Sequence, residues 1–298
     1  MPTINYYDKK TNDYIPIGFG DGTPEIAISD TEPTGDDRPA IWVKPSGIPK
    51  PASNDYFDML EWMNVPMDVR RMNYRGKNLG STFTAAQKDA IKDGTFKGFF
   101  LGDYWAIGGQ NWRIVDFDYW WNFGDTACKT HHLVIMPDGQ LYQEQMNEAD
   151  DATGAYVNSK MYKEGLDEAK TIINGTFGSN YILNHREFLH NATKDGYASS
   201  GEWYDSTVEL PNEIMMYGSY IYTPVGNGTI LINRNTLDNS QLAGMMVKRL
   251  RINSNRSNCW LRDVVEKGSF ALTDASGRAA RSGASNVRGV RPVFGLTG

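Results

Sequence analysis

The last forty residues of the chain constrain its fold most strongly, because they predict a meander of short strands. Residues 260–265 are an apolar segment, and after a Glu-Lys-Gly turn residues 269–273 form a second one. Residues 274–277 predict another turn, since Asp hydrogen-bonds to its own backbone and Gly tolerates positive φ. Residues 287–296 then place Val, Phe and Leu at strand spacing. Two hydrophobic stretches therefore enclose a polar one.

The enclosed segment, residues 278–282, predicts a displayed surface. Its apolar side chains are two alanines, so it is a poor candidate for the core. Residues exposed here by strand alternation or by their place in turns mix an aromatic ring with polar and charged groups, a composition typical of recognition patches. The candidate ligand contacts are Phe270, Asp274, Arg278, Arg281 and Asn286. A surface held between buried strands is a common place for binding.

Two short motifs in this region carry a resemblance to a known family. Trp260-Leu261-Arg262, followed after a variable stretch by Gly289-Val290-Arg291-Pro292, resembles the closing signature of phage virion proteins with a C-type-lectin-like fold. It is also similar to the variable domain of the major tropism determinant of phages. Further stretches resemble a group of gram-positive phage tail proteins: residues 74–80, 102–105, 205–210 and 215–218. The resemblance covers roughly residues 66–298.

The resemblance implies both a fold and a function. The fold is α+β, a C-type-lectin-like domain with helical insertions. In this family the signature Trp packs and the signature Arg bonds the backbone, which implies structural roles for Trp260 and Arg262, and likewise for Arg291 and Phe294. The function implied is host recognition: a receptor-binding or tail-fibre protein that is not an enzyme, needs no cofactor, and binds a cell-surface glycan or protein.

The same resemblance implies a homotrimer in the virion tail or fibre, assembled in the host cytoplasm. Two alternatives stay open. One is a head fibre or decoration protein of the same fold. The other is a glycan-degrading virion enzyme, which requires two carboxylates facing each other across a cleft.

The N-terminal part of the chain predicts a separate module. Residues 1–43 have the pattern of a small β-rich unit, too small for an ample core, which favours oligomerisation or docking to other virion proteins. Residues 44–53 predict a stiff linker, because prolines favour an extended chain. We therefore expect the lectin-like domain to occupy residues 54–298.

The charge distribution bears on possible partners. The net charge of −6 argues against nucleic-acid binding. From Lys248 onward, however, the chain carries ten Lys/Arg and three Asp/Glu, a net +7 against −13 for the remainder. This basic end predicts an anionic cell-surface polymer as partner. The N-terminus lacks the pattern of a signal peptide, and no apolar run approaches 18 residues, so membrane insertion is not expected.

A cluster of acidic, His and Cys residues between positions 116 and 132 is the richest candidate for chemistry. His131 and His132, if on a strand, point to opposite faces. Cys128 with His131 gives Cys-x-x-His without a second pair, a weak zinc signal, so no metal site is expected. Cys128 and Cys259 are predicted to be buried free thiols, and a disulfide between them stays an open alternative.

Local patterns predict the remaining elements. Thr84 and Gln87 form a capping box at the start of one helix. His185 and His190, on another predicted helix, are five residues apart and do not share a face, which argues against a metal pair. The predicted helices are residues 55–63 (capped by Ser53), 85–93, 159–174, 184–191, 211–217 and 242–250. The predicted hairpins are residues 104–115 and 132–142.

Overall fold

The computed structural model describes residues 55–223 and 239–298, together with the backbone of four short strands in the first 54 residues. The chain divides into two compact units, Met1–Val65 and Pro66–Gly298. Each unit is described separately below. The predicted linker at residues 44–53 lies outside the described residues, as does most of the predicted module 1–43.

The part of the first unit that the structure describes contains two pairs of strands and one helix. β1 and β2 are antiparallel, and β3 and β4 are parallel. The elements are β1 (Asn5–Asp8), β2 (Asp13–Pro16), β3 (Ile26–Ile28), β4 (Ile41–Val43) and α1 (Tyr56–Trp62). The α1 cap is Asp55, whose carboxylate accepts from the backbone of Phe57 and Asp58. The predicted cap, Ser53, lies outside the described residues.

The helices of the second unit are short. They are α2 (Met67–Met72), α3 (Ala85–Lys92), α4 (Asp167–Phe177), α5 (Glu213–Tyr217) and α6 (Lys248–Arg251). The capping box of Thr84 and Gln87 is confirmed. The helix predicted at residues 159–174 is confirmed in part: a π-helix over Met161–Gly165 precedes α4, which continues through Gly175 to Phe177 and is capped by Gly178, where φ is +91°.

One five-stranded sheet, the antiparallel sheet, has the order β11-β16-β7-β6-β5. Its strands are β5 (Tyr104–Ile107), β6 (Gln110–Phe117), β7 (Leu133–Pro137), β11 (Val208–Glu209) and β16 (Val293–Leu296). The hairpin predicted at residues 104–115 is confirmed, with Gly108 and Gly109 at positive φ in its turn. Every neighbouring pair in this sheet is antiparallel.

The second five-stranded sheet, the meander sheet, has the order β14-β13-β12-β15-β8. Its strands are β8 (Tyr142–Glu144), β12 (Cys259–Glu266), β13 (Ser269–Thr273), β14 (Ala279–Gly283) and β15 (Arg288–Val290). The predicted strands at residues 260–265 and 269–273 and the turn at residues 274–277 are confirmed. The strand predicted at residues 287–296 is instead two strands, β15 and β16, and β16 belongs to the antiparallel sheet. The hairpin predicted at residues 132–142 is wrong, because β7 and β8 belong to different sheets: β8 pairs with β15.

The third sheet of this unit is a hairpin of β9 (His185–Lys194) and β10 (Tyr197–Ser206). The prediction of a helix at residues 184–191 is wrong. Burial alternates with the two-residue period of a strand: His185, Glu187 and Leu189 are buried, and residues 186, 188 and 190 are only half-buried. The two histidines of this segment therefore lie on opposite faces of the strand.

The chain closes by joining both five-stranded sheets. β15 enters the meander sheet beside β12, and β16 pairs with β7 in the antiparallel sheet. Alternate residues of the central strands contribute to two different core clusters: Ile135 and Phe294 to one, and Val134 and Val293 to the other. Both faces of the antiparallel sheet are therefore covered. The architecture of the second unit is mixed α+β, with three sheets among the described residues.

Among the helices of the described ranges, none has the length and apolar character needed to cross a bilayer.

Removing a core aromatic of the closing strands should destabilise this unit. Trp260 and Phe294 are fully buried, so we expect Trp260→Ala or Phe294→Ala to lower the free energy of unfolding by about 3–5 kcal/mol. Val287→Ala is the matched control: Val287 is a hydrophobic residue of the same segment but 50% exposed, and its truncation should cost less than about 0.5 kcal/mol. Urea titrations of the three variants measure this. Equal losses in all three would contradict the assignment of the core.

Candidate functional site

Four of the five predicted ligand contacts lie at least partly at the surface, and Phe270 does not. Phe270 is fully buried in the core, so the expectation that alternation exposes it is wrong. Its strand, β13, lies between β12 and β14, and both of its faces are covered, with Phe270 and Ala271 in different core clusters. Strand alternation therefore exposes neither face here.

Arg278, Arg281 and Asn286 are exposed along the edge formed by β14 and the loop that follows it. The Arg278 guanidinium donates to the carboxylate of Asp274, which also accepts from the backbone of Ser276 and Arg278 and so shapes the turn. Arg281 Nη1 lies 2.9 Å from Glu266 Oε2. Two of the exposed cations are thus engaged with carboxylates of the same chain.

The four signature residues all lie in the interior. The guanidinium of Arg291 donates to three backbone carbonyls, those of Pro137, Leu250 and Arg251. Trp260 Nε1 donates to the carbonyl of Glu144. Phe294 packs in the main core cluster. Arg262 differs from the expected backbone bonding: its Nη2 lies 2.6 Å from Glu187 Oε2 in a buried ion pair.

The Arg262–Glu187 pair belongs to a buried polar cluster that sequence reasoning missed. Besides Arg262, Glu187 accepts from the indole of Trp120 and lies within hydrogen-bond distance of His185. Burial alone would raise the pKa of Glu187, but the charge of Arg262 and the contacts with His185 lower it to about 2. Burial raises the pKa of nearby Glu209, which accepts from two hydroxyls. The cluster joins β9 of the hairpin sheet to β12 of the meander sheet.

An open groove of about 660 Å³ is bounded by the β9–β10 turn, the β12–β13 turn and the loop at residue 153. Its volume lies within the range of small-molecule sites. The lining residues are Thr153, Thr193, Asp195, Gly196, Tyr197, Val265, Glu266 and Lys267. We call this feature the groove.

The walls of the groove are fixed by backbone hydrogen bonds. The Thr193 amide donates to the carbonyl of Thr153 at 3.0 Å, and the Ala152 amide donates to the carbonyl of Lys267 at 2.8 Å. The loop before Thr153 therefore bridges the two turns. Because these bonds involve main-chain atoms, the groove keeps its shape independently of the side chains that line it.

Comparisons of the chain with protein-family models, with curated proteins and with solved structures find no match. The resemblance to lectin-like phage proteins therefore rests on the sequence motifs.

The β9–β10 turn holds two groove residues in a defined position. Asp195 and Gly196 both have positive φ, +56° and +82°, between the paired residues Lys194 and Tyr197. This is the geometry of a two-residue hairpin turn of type I′, for which Asp-Gly is a preferred sequence. The Asp-Gly pair was the signal that could have revealed the hairpin, and with it the contribution of Asp195 and Tyr197 to the groove.

The groove adjoins the displayed edge of the meander. Glu266 lines the groove, and its carboxylate forms an ion pair with Arg281 of β14. Next to it, Asp150 accepts from the backbone and the hydroxyl of Ser285 at 2.9 and 2.7 Å, and these hydrogen bonds lower the pKa of Asp150. Part of the predicted surface therefore continues into a concave site that three separate chain segments create.

In the cluster of acidic and histidine residues near position 118, the Asp118 carboxylate is hydrogen-bonded to both neighbouring histidines. Asp118 Oδ2 lies 2.7 Å from His131 Nδ1, and Asp118 Oδ1 accepts from the His132 amide. His132 is buried, which lowers its pKa to about 3. In the described parts of the chain, no three His, Cys, Asp or Glu side chains are grouped to hold a metal ion.

Cys128 and Cys259 are free, and Cys259 is buried as expected, whereas Cys128 is only half-buried.

The buried ion pair predicts an acid-dependent loss of stability. The folded-state pKa of Glu187 is depressed, so its contribution is present above the unfolded-state pKa, near 4.5, and is lost as pH falls toward about 2. We expect the difference in unfolding free energy between wild type and Glu187→Gln to shrink between pH 5 and pH 2. Urea titrations across this range measure it. The control is Glu202→Gln, an exposed position of the same hairpin. A constant difference would contradict the ion-pair assignment.

Proposed function

We propose that this protein is a phage virion protein that recognises a host cell-surface saccharide through the groove. The observation that carries the proposal is the composition of the groove: hydroxyl, carboxylate and ammonium groups beside one aromatic ring, Tyr197, at the edge of the displayed meander. Polar groups at fixed positions can orient the hydroxyls of a sugar, and an aromatic side chain offers an apolar surface with a polar tip.

The fold supports the same proposal. The signature Trp260 and Arg291 lie in the interior, where the lectin-like resemblance expects them, at the beginning of β12 and just after β15. We propose on this basis that the second unit has a C-type-lectin-like fold. The first unit then serves as the module that assembles the homotrimer and contacts other virion proteins of the tail or fibre.

A second candidate function, glycan degradation, is favoured by one observation: the groove contains two carboxylates, Asp195 and Glu266. Glycoside hydrolysis uses such a pair, one as acid and one as base or nucleophile. Glu266, however, is engaged by the guanidinium of Arg281, which favours a binding role. Incubation with host wall glycans, followed by chromatography of the supernatant, distinguishes the two functions. We expect no released oligosaccharide.

The binding proposal predicts a specific loss in Tyr197→Ala. We expect this variant to bind host cells at least about ten-fold more weakly, since a buried aromatic contact contributes about 1.5 kcal/mol or more at an interface. Its melting temperature should stay close to that of the wild type, because Tyr197 is only half-buried. Flow cytometry with labelled protein and thermal unfolding measure the two effects.

The matched control is Tyr222→Ala, because Tyr222 is another partly exposed tyrosine and does not line the groove. It should bind host cells as the wild type does. Equal binding by wild type and Tyr197→Ala, with both folded, would remove the groove from consideration as the recognition site.

A further inference from the structure

We propose that the groove takes a zwitterionic saccharide, one that carries a cationic amino group and an anionic group on the same or on neighbouring sugar units. This inference rests on the function proposed above and names its ligand class. The observation behind it is that the groove presents two side chains of opposite charge, on two adjoining turns, and that neither is engaged in an ion pair.

The two unpaired charges are those of Asp195 and Lys267. Asp195 lies at the tip of the β9–β10 turn and Lys267 in the β12–β13 turn, and both side chains are exposed and line the groove. Neither forms an ion pair within the described ranges, whether with the other or with a third residue. The remaining charged lining residue, Glu266, is paired with Arg281 at 2.9 Å. The groove therefore offers a ligand one carboxylate and one ammonium group.

The two turns that carry these charges are in contact. A Cβ atom added to Gly196 would lie 3.2 Å from the backbone nitrogen of Lys267, so the glycine allows the close approach of the two turns. The carbonyl of Lys267 accepts from the Ala152 amide at 2.8 Å, which fixes its turn. Asp195 is fixed in turn by the type I′ geometry of its hairpin. The backbone thus sets both charged side chains beside each other in the groove.

A ligand with a single charge is poorly matched to this pair, because one of the two side chains attracts it and the other repels it. A ligand with both charges can place its ammonium group at Asp195 and its anionic group at Lys267. The aromatic ring of Tyr197 lines the groove next to the Asp195 turn, and an aromatic face attracts organic ammonium groups. We therefore expect the cationic end of the ligand at the β9–β10 turn and the anionic end at the β12–β13 turn.

The anionic polymer predicted from the basic end of the chain matches only half of this arrangement. Of the ten Lys and Arg residues from position 248 onward, Lys267 is the one that lines the groove. Arg262 and Arg291 are buried, one on Glu187 and one on backbone carbonyls. A purely anionic polymer would therefore meet one cation in the groove and, beside it, a carboxylate that repels it.

Three tetrasaccharides test the inference on the intact chain by isothermal titration calorimetry. The zwitterionic tetramer alternates glucosamine with glucuronate, the anionic tetramer is its N-acetylated counterpart, and the cationic tetramer consists of glucosamine alone. We expect the zwitterionic tetramer to bind at least about ten-fold more tightly than either of the others, since it alone gains a charged hydrogen bond at both turns. Raising the salt concentration should weaken its binding, because ions screen exposed charges.

Two substitutions isolate the two charges. Asp195→Asn keeps a sequence suited to the type I′ turn, and Lys267→Gln changes an exposed side chain, so both variants should fold. We expect each to lose about ten-fold in affinity for the zwitterionic tetramer. Asp195→Asn should at the same time bind the anionic tetramer more tightly than the wild type does, and Lys267→Gln the cationic one, because the repelling charge is gone. A merely structural role of either side chain would not reverse the preference in this way.

The matched controls are Asp167→Asn and Lys163→Gln, two exposed positions that do not line the groove. Both should bind all three tetramers as the wild type does. The inference is overturned if the zwitterionic tetramer does not bind, or if either singly charged tetramer binds as tightly.

The two proposals fail in different ways. If the zwitterionic assignment is overturned, the saccharide-recognition function still stands when Tyr197→Ala abolishes attachment to host cells. If Tyr197→Ala attaches normally, the groove is not the receptor site and both proposals fail.

Discussion

The buried ion pair between Arg262 and Glu187 is the interaction on which the attachment of the hairpin sheet to the meander sheet depends. It connects the two-stranded hairpin sheet to the meander sheet, and one wall of the groove comes from each. A two-stranded sheet is marginally stable by itself, so the hairpin needs such a tertiary attachment. Removing one partner leaves an uncompensated buried charge, which is far more costly than losing an exposed ion pair. The attachment of the hairpin and the stability of the interior are therefore linked through the same two side chains.

The closing strands, β15 and β16, fix how the two five-stranded sheets are placed relative to each other. The segment from β15 to β16 pairs first in the meander sheet and then in the antiparallel sheet, and Arg291 between them donates to three carbonyls of other segments. A single short stretch thus fixes the relative position of two sheets. Because alternate residues of these strands enter different core clusters, a shift in register would place side chains of the wrong size in both clusters.

The sequence predicted those elements whose determinants are local. The meander strands, the capping box of α3 and the Gly-Gly hairpin follow from residues close together in the chain. Phe270 was misplaced because alternation cannot reveal that both faces of β13 are covered. The β9–β10 hairpin was not predicted, although its Asp-Gly pair is typical of a two-residue type I′ turn. The groove was not predictable from the meander alone, because its lining comes from segments near positions 153, 195 and 266. The buried ion pair likewise joins residues 75 positions apart.

The main-chain hydrogen bonds that fix the groove walls have an evolutionary consequence. The amides of Thr193 and Ala152 hold the three segments together through atoms that every residue except proline possesses. Side chains such as Tyr197 and Lys267 can therefore be exchanged while the walls stay in place. A protein built in this way can acquire a new receptor by a few point substitutions, without insertions and without a new fold. On the proposed function, the host range of the phage would change faster than the architecture of the protein that determines it.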